Sequence, residues 1–113
     1  MAGLAALLGP EIVERELKIR GQVARFHFRE LSGDEMDVIY AACRDAAGKV
    51  PPEKNRELRN RIIAASLCDA HGAPVMSIEQ VGAQRASLHI QLQAAAFELT
   101  GMSGKEESAE KNA

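Results

Sequence analysis

Side chains that could bind a metal or carry out acid–base chemistry are few and scattered along this sequence. The three histidines, His27, His71 and His89, fall on three different predicted elements, without a cysteine or carboxylate pattern that would make them metal ligands. Asp69-Ala70-His71 contains one acid and one base, but a turn accounts for each of its residues. The sequence has no glycine-rich phosphate loop and no nucleophile motif. We therefore expect no catalytic residue, no metal site and no cofactor, and an enzyme is the least favoured class.

The overall charge and the two cysteines restrict the binding partners and the cellular compartment that we expect for the protein. A formal net charge of -2 over 113 residues gives no general attraction to nucleic acid or to anionic membranes. Cys43 and Cys68 have no close cysteine partner, which is typical of free thiols in a reducing cytosol. Residues 1–10 are apolar but too short for a signal peptide or a membrane span, although Leu4, Leu7 and Leu8 could dock on a neighbouring subunit. We predict a cytoplasmic protein that does not enter a membrane.

One candidate binding surface is a basic face on a predicted β-hairpin. Basic ribbons bind nucleic acid, but Glu14, Glu16 and Glu30 are close in sequence and no aromatic residue alternates with the cations. A solvated face, or a contact with an acidic patch on a partner protein, is therefore favoured over nucleic acid. The residues of this predicted basic face are Lys18, Arg20, Arg25 and Arg29, with His27 between them.

The second candidate surface is apolar and more extensive. The last predicted helix carries two apolar stripes, which is more than a small core requires, and the predicted hairpin adds a third apolar face. This surplus indicates self-association into a homo-oligomer or binding of a helical partner, while packing within the protomer remains the alternative. The predicted partner-binding residues are Leu88, Ile90, Leu92, Phe97 and Leu99 on the helix, with Leu17 and Ile19 on the hairpin.

The elements that must position these residues follow from periodicity and capping signals. Alternating apolar and polar residues predict a hairpin at about 16–29, with Gly21-Gln22 as a type II′ turn. Ser32 and Ser77 each begin a capping box and so each begin a helix. The predicted helices cover about 33–47, 52–70, 77–82 and 84–100, which makes the fold α+β and mostly α. We expect a single domain over residues 1–102 and a disordered polar tail over 103–113.

The order of these segments resembles the tail assembly chaperones of long-tailed, siphovirus-type bacteriophages. The similarity covers about residues 14–102. It is carried by the strand that runs into FRELSGDE at 28–35, by RIIAASLCD at 61–69 with the turn at Gly72, and by LTGM at 99–102 before a polar tail. The order of these motifs is more specific than any single one of them.

The resemblance implies a helical protein with a small β element that coats the tape measure protein and keeps its long helices in solution. Such chaperones help to recruit tail tube protein, in many phages through a longer form made by a programmed frameshift. They act without a cofactor in the cytoplasm of the infected host or lysogen, and they are absent from the mature virion. No residue of the family transfers to a particular position here.

Two other classes remain open from the sequence. A structural tail completion or connector protein would use the hairpin for strand addition in a ring, and it would be present in purified virions. A small nucleic-acid-binding regulator would use Lys18, Arg20, Arg25 and Arg29, and its binding would weaken steeply with salt.

Overall fold

A computed structural model describes residues 11–101 of the chain. Within them lie a three-stranded antiparallel sheet of order β1-β2-β3 and four α-helices. The elements are β1 (Ile12–Ile19), β2 (Gln22–Arg29), α1 (Gly33–Cys43), a 3-10 turn (Pro52–Lys54), α2 (Asn55–Ser66), β3 (Leu67–Cys68), α3 (Ile78–Gly82) and α4 (Ala86–Leu99). The expected disordered tail at 103–113 and the apolar residues Leu4, Leu7 and Leu8 lie outside the described residues.

The hairpin confirms the predicted alternation but has a different turn. Ile19 pairs with Gln22, so the two central residues are Arg20 and Gly21 rather than Gly21 and Gln22. Their φ angles are 52° and 79°, and positive φ at both positions defines a type I′ turn. Arg20 therefore lies in the turn and not on the strand face where we had placed it.

The predicted order of a hairpin followed only by helices is wrong at Leu67-Cys68, where a third strand follows α2. Phe28 pairs with Leu67 and His27 with Cys68, and the Ser66 hydroxyl donates a hydrogen bond of 2.9 Å to the backbone carbonyl of Arg29. Both strand residues are buried, so the uniformly apolar run that we read as a helix continuing to residue 70 includes a buried strand. Periodicity does not distinguish these two environments.

The first helix ends at Cys43 instead of residue 47. Residues 45–49 form a loop in which the Asp45 carboxylate accepts hydrogen bonds from the backbone amides of Ala47 (2.9 Å) and Lys49 (3.1 Å). Gly48, with φ at 78°, donates its amide to the Asp45 carbonyl. Gly48 therefore closes this loop and does not end the helix.

Helix starts are confirmed where a capping box marked them. Ser32 and Ser77 accept hydrogen bonds from the amides of Glu35 and Gln80, whose side chains accept in return from the two serine amides. Where no such signal exists the boundaries moved, because α2 begins at Asn55 after a 3-10 turn instead of at residue 52. Similarly, α4 begins at Ala86 instead of residue 84, without a side-chain cap.

The core lies between one face of the hairpin and the helices α2 and α4. Each large apolar side chain buried there contributes about 1.5–3 kcal/mol, so this contact dominates the fold. No helix among residues 11–101 is long and apolar enough to cross a membrane. The largest fully buried apolar side chains are Phe28, Ile62, Ile63, Leu67, Val81 and Leu92.

Candidate partner-binding site

Helix α4 has an apolar outer face as well as an apolar inner face. Its residues 86–97 include no Asp, Glu, Lys or Arg, and Glu98 is the one acidic residue of the helix. Ala86, Ile90 and Ala94 follow each other at a spacing of four residues on the solvent side, and Ile90 is 67% exposed. A surface helix normally presents charge to solvent, so this face of α4 is a candidate contact surface.

The structure divides the seven predicted partner-binding residues into two groups. Four of them belong to the core and are not accessible in this fold, namely Leu17, Leu88, Leu92 and Phe97. Ile19 and Leu99 are half-buried and pack against the core, which leaves Ile90 as the largely exposed member. Much of the apolar surplus thus packs within the protomer, and Ile90 is its exposed member on α4, while other exposed large apolar side chains, such as Val38 and Val23, lie on other elements.

Gln91 connects α4 to the hairpin in a way that the sequence does not reveal. Its side-chain amide accepts a hydrogen bond of 2.9 Å from the backbone amide of Lys18 and donates one of 2.7 Å to the carbonyl of the same residue. The side chain thereby takes the place of a neighbouring strand residue at the free edge of β1. This pair of hydrogen bonds fixes α4 beside the hairpin.

On the solvent face of the hairpin, the cations of the stem are paired with carboxylates. The Arg25 Nε atom is 3.4 Å from a Glu14 oxygen and 3.9 Å from a Glu16 oxygen, and His27 Nε2 is 3.5 Å from Glu14. Arg29 donates two hydrogen bonds to the carboxylate of Glu35. Arg25 and Arg29 of the predicted basic face therefore carry little uncompensated charge, and His27 lies beside the same carboxylate as Arg25.

The Arg29–Glu35 pair also fixes the start of α1. Because the Arg29 guanidinium hydrogen-bonds to it, the pKa of Glu35 is lowered to about 2. The same carboxylate accepts the Ser32 amide in the capping box. The Glu35 side chain thus connects β2 to the first turn of α1. Because Arg29 is held by this carboxylate, its guanidinium is not free to bind a ligand.

At the tip of the hairpin the cations are not paired. Lys18, Arg20 and Arg85 are exposed and form no ion pair with any residue in the part of the chain that the structure describes. They line an open cleft of about 670 Å³ between the hairpin turn and the start of α4. Arg85 could not be predicted as part of this site from the sequence, because the cleft brings it next to hairpin residues that are far away in the chain.

Two further titratable groups, His89 and Asp69, have structural roles. His89 Nε2 lies 2.7 Å from the buried Asn60 Oδ1, and burial, followed by the charges of Arg56 and Arg59, lowers the pKa of His89. The Asp69 carboxylate accepts the backbone amides of His71 and Ala73, so it closes the turn. Among residues 11–101 no group of three or more His, Cys, Asp or Glu side chains could hold a metal ion.

The outer face of α4 and the cleft at the hairpin tip are therefore the two surfaces that stand out from this geometry. Comparison with protein-family models, with curated proteins and with solved structures finds no match to the chain.

Proposed function

We propose that this protein is a tail assembly chaperone of a long-tailed bacteriophage, and that it binds the tape measure protein. In this role it keeps the long helices of that protein in solution and helps to recruit tail tube protein while the tail is built. The proposal draws on the segment order at residues 14–102, and the observation that carries it is the exposed stripe of Ala86, Ile90 and Ala94 on α4, which is free of charge up to Glu98.

The dimensions of that face suit a helical client. Ile90 projects between Ala86 and Ala94, whose small side chains let the backbone of a second helix approach closely. Burial of the Ile90 side chain against the client contributes about 1.5–3 kcal/mol at most. A single contact of this size is weak, so retention of a client requires several such contacts along its helices.

Co-expression with the tape measure protein of the same gene cluster tests the proposal. We expect the wild-type chain to keep that protein in the soluble fraction and to co-purify with it at high salt. Ile90→Asp should abolish both effects, because it places a charge at the centre of the contact. Val38→Asp is the matched control, since Val38 is 71% exposed on α1 and should tolerate the change without loss of binding.

Two results contradict the proposal. One is a tape measure protein that precipitates regardless of the wild-type chain. The other is recovery of this chain from purified virions at a fixed stoichiometry, which identifies it as a structural tail completion or connector protein instead.

A further inference from the structure

The cleft at the hairpin tip differs from the rest of the hairpin surface in its charge balance. On the stem, Arg25 lies beside two glutamates and Arg29 is engaged by Glu35. In the cleft, three cations stand together and none of the described residues that line it is acidic. In a protein of net charge -2, this is a local concentration of positive charge without a counter-charge among the described residues that line the cleft.

The lining of the cleft is not only basic. Ile19, Val23, Ala24 and Leu88 supply apolar surface between the cations, and Val23 is 58% exposed. A ligand that fits this lining combines carboxylates with an apolar side chain, as an amphipathic peptide segment does.

The cleft is also continuous with the outer face of α4. Arg85 and Ser87 line the cleft, and Ala86, which lies between them, begins the exposed stripe that continues through Ile90. A helix lying along that stripe therefore has one end beside Arg85, which lines the cleft.

We propose that the cleft formed by Lys18, Arg20 and Arg85 binds an acidic segment of the helical client, next to the apolar residues that pack on α4. This inference rests on the proposed function, and it specifies which segments of the client the chaperone binds. The carboxylates supply the negative charge that the cleft lacks, while the client's apolar residues cover Val23 and Ile90.

A peptide ligand is favoured over nucleic acid by the size and surroundings of the basic area. Three cations neutralise few phosphates, and Glu14 and Glu16 lie on the same strand face directly beyond Lys18. A duplex that followed the hairpin would meet these carboxylates, whereas a single acidic helical turn fits within the cleft.

The test uses overlapping peptides that span the tape measure protein, with dissociation constants measured against the full chain by fluorescence anisotropy. The tightest peptides should contain at least two Asp or Glu residues beside an apolar helical stripe. Lys18→Gln with Arg85→Gln should weaken them about 2- to 30-fold, the range expected for two exposed ion pairs. Lys49→Gln with Lys54→Gln is the matched control, because these two lysines do not line the cleft.

Other outcomes separate the inference from the proposed function. If the peptides lose affinity with Ile90→Asp but not with Lys18→Gln and Arg85→Gln, the acidic-segment inference is wrong and the chaperone proposal stands. If no peptide binds and the tape measure protein also precipitates in co-expression, both are wrong. A short DNA duplex that binds in the same assay, with the same dependence on Lys18 and Arg85, overturns the inference in favour of a nucleic-acid site.

Discussion

Helices α1 and α4 are held in the fold by different means. Helix α1 buries only Cys43 completely, and its position depends on the capping box at Ser32 and on the Arg29–Glu35 pair at its start. Helix α4 has no side-chain cap but buries five residues, among them Leu92 and Phe97. The first helix thus combines polar contacts at its start with partial burial of Met36 and Ile39, whereas the second is fixed by burial along its length.

This difference bears on function because α4 has one side whose burial is required for folding and another side whose apolar residues are not. The inner side of α4 supplies the burial that holds the helix. Its outer side, around Ile90, is just as poor in charge but contributes nothing to the core. An apolar residue that folding does not need is a better indicator of binding than one that the core uses.

Substitutions on the inner and outer sides of α4 test whether only the inner side is required for folding. They should give the largest difference in the free energy of unfolding. Leu92→Ala should lower the free energy of unfolding by about 2–5 kcal/mol, because it leaves a cavity in the core. Ile90→Ala should change it by no more than about 0.5 kcal/mol, as is usual for surface positions. Urea denaturation followed by circular dichroism measures both values. Similar losses in the two variants would show that the outer face is also part of the core.

Removal of the Gln91 amide should have an intermediate effect. Gln91→Ala deletes both hydrogen bonds to the Lys18 backbone, and at about 0.5–1.5 kcal/mol for each bond the expected loss is about 1–2 kcal/mol after partial replacement by water. Gln93→Ala is the control, since Gln93 lies on the same helix and is also half-buried. Equal stability of the two variants would mean that burial alone positions α4.

The smallest expected effect concerns the start of α1, and it depends on pH. The pKa of Glu35 is about 2 in the folded protein and about 4.5 otherwise, so its stabilisation is present above pH 4.5 and is lost as the pH falls towards 2. Glu35→Gln should therefore cost about 1 kcal/mol at pH 7 and almost nothing near pH 2. Thermal melts across this range measure the difference. A gap between wild type and variant that is independent of pH would exclude the ion pair as its cause.

The parts of the fold that were predictable are those with a local chemical signal. The two capping boxes placed the starts of α1 and α3, and strict alternation placed the core face of the hairpin. The pairing of Leu67 with Phe28 was not predictable, because a buried strand and a buried helical turn have the same apolar composition.

One error had a signal that could have prevented it. Residues 45–49 (DAAGK) and 69–73 (DAHGA) form the same loop, in which an Asp carboxylate accepts two backbone amides and a glycine adopts positive φ. The composition around Gly72 predicted the second loop as a turn, whereas residues 45–47 of the first loop were predicted as helix. The shared Asp-x-x-Gly spacing identifies both as turns.

For the candidate site, the sequence selected α4 for its two apolar stripes but did not distinguish the buried stripe from the exposed one. In the sequence the two apolar stripes of α4 look alike, because only the position of the hairpin decides which stripe is buried. Leu92 could therefore not be assigned to the core, nor Ile90 to the surface. Likewise, the predicted basic face combined Arg25, which is paired, with Lys18, which is not. Both distinctions depend on contacts between residues far apart in the chain.

The Gln91 amide has a further consequence for how copies of this chain can associate. An open strand edge is a template on which a neighbouring strand can add, and repeated addition leads to polymers. At Lys18 the two backbone groups that such a strand would need are already occupied. A neighbouring chain must displace Gln91 before it can extend the sheet past this point, so growth of a continuous sheet through β1 meets a barrier within each protomer.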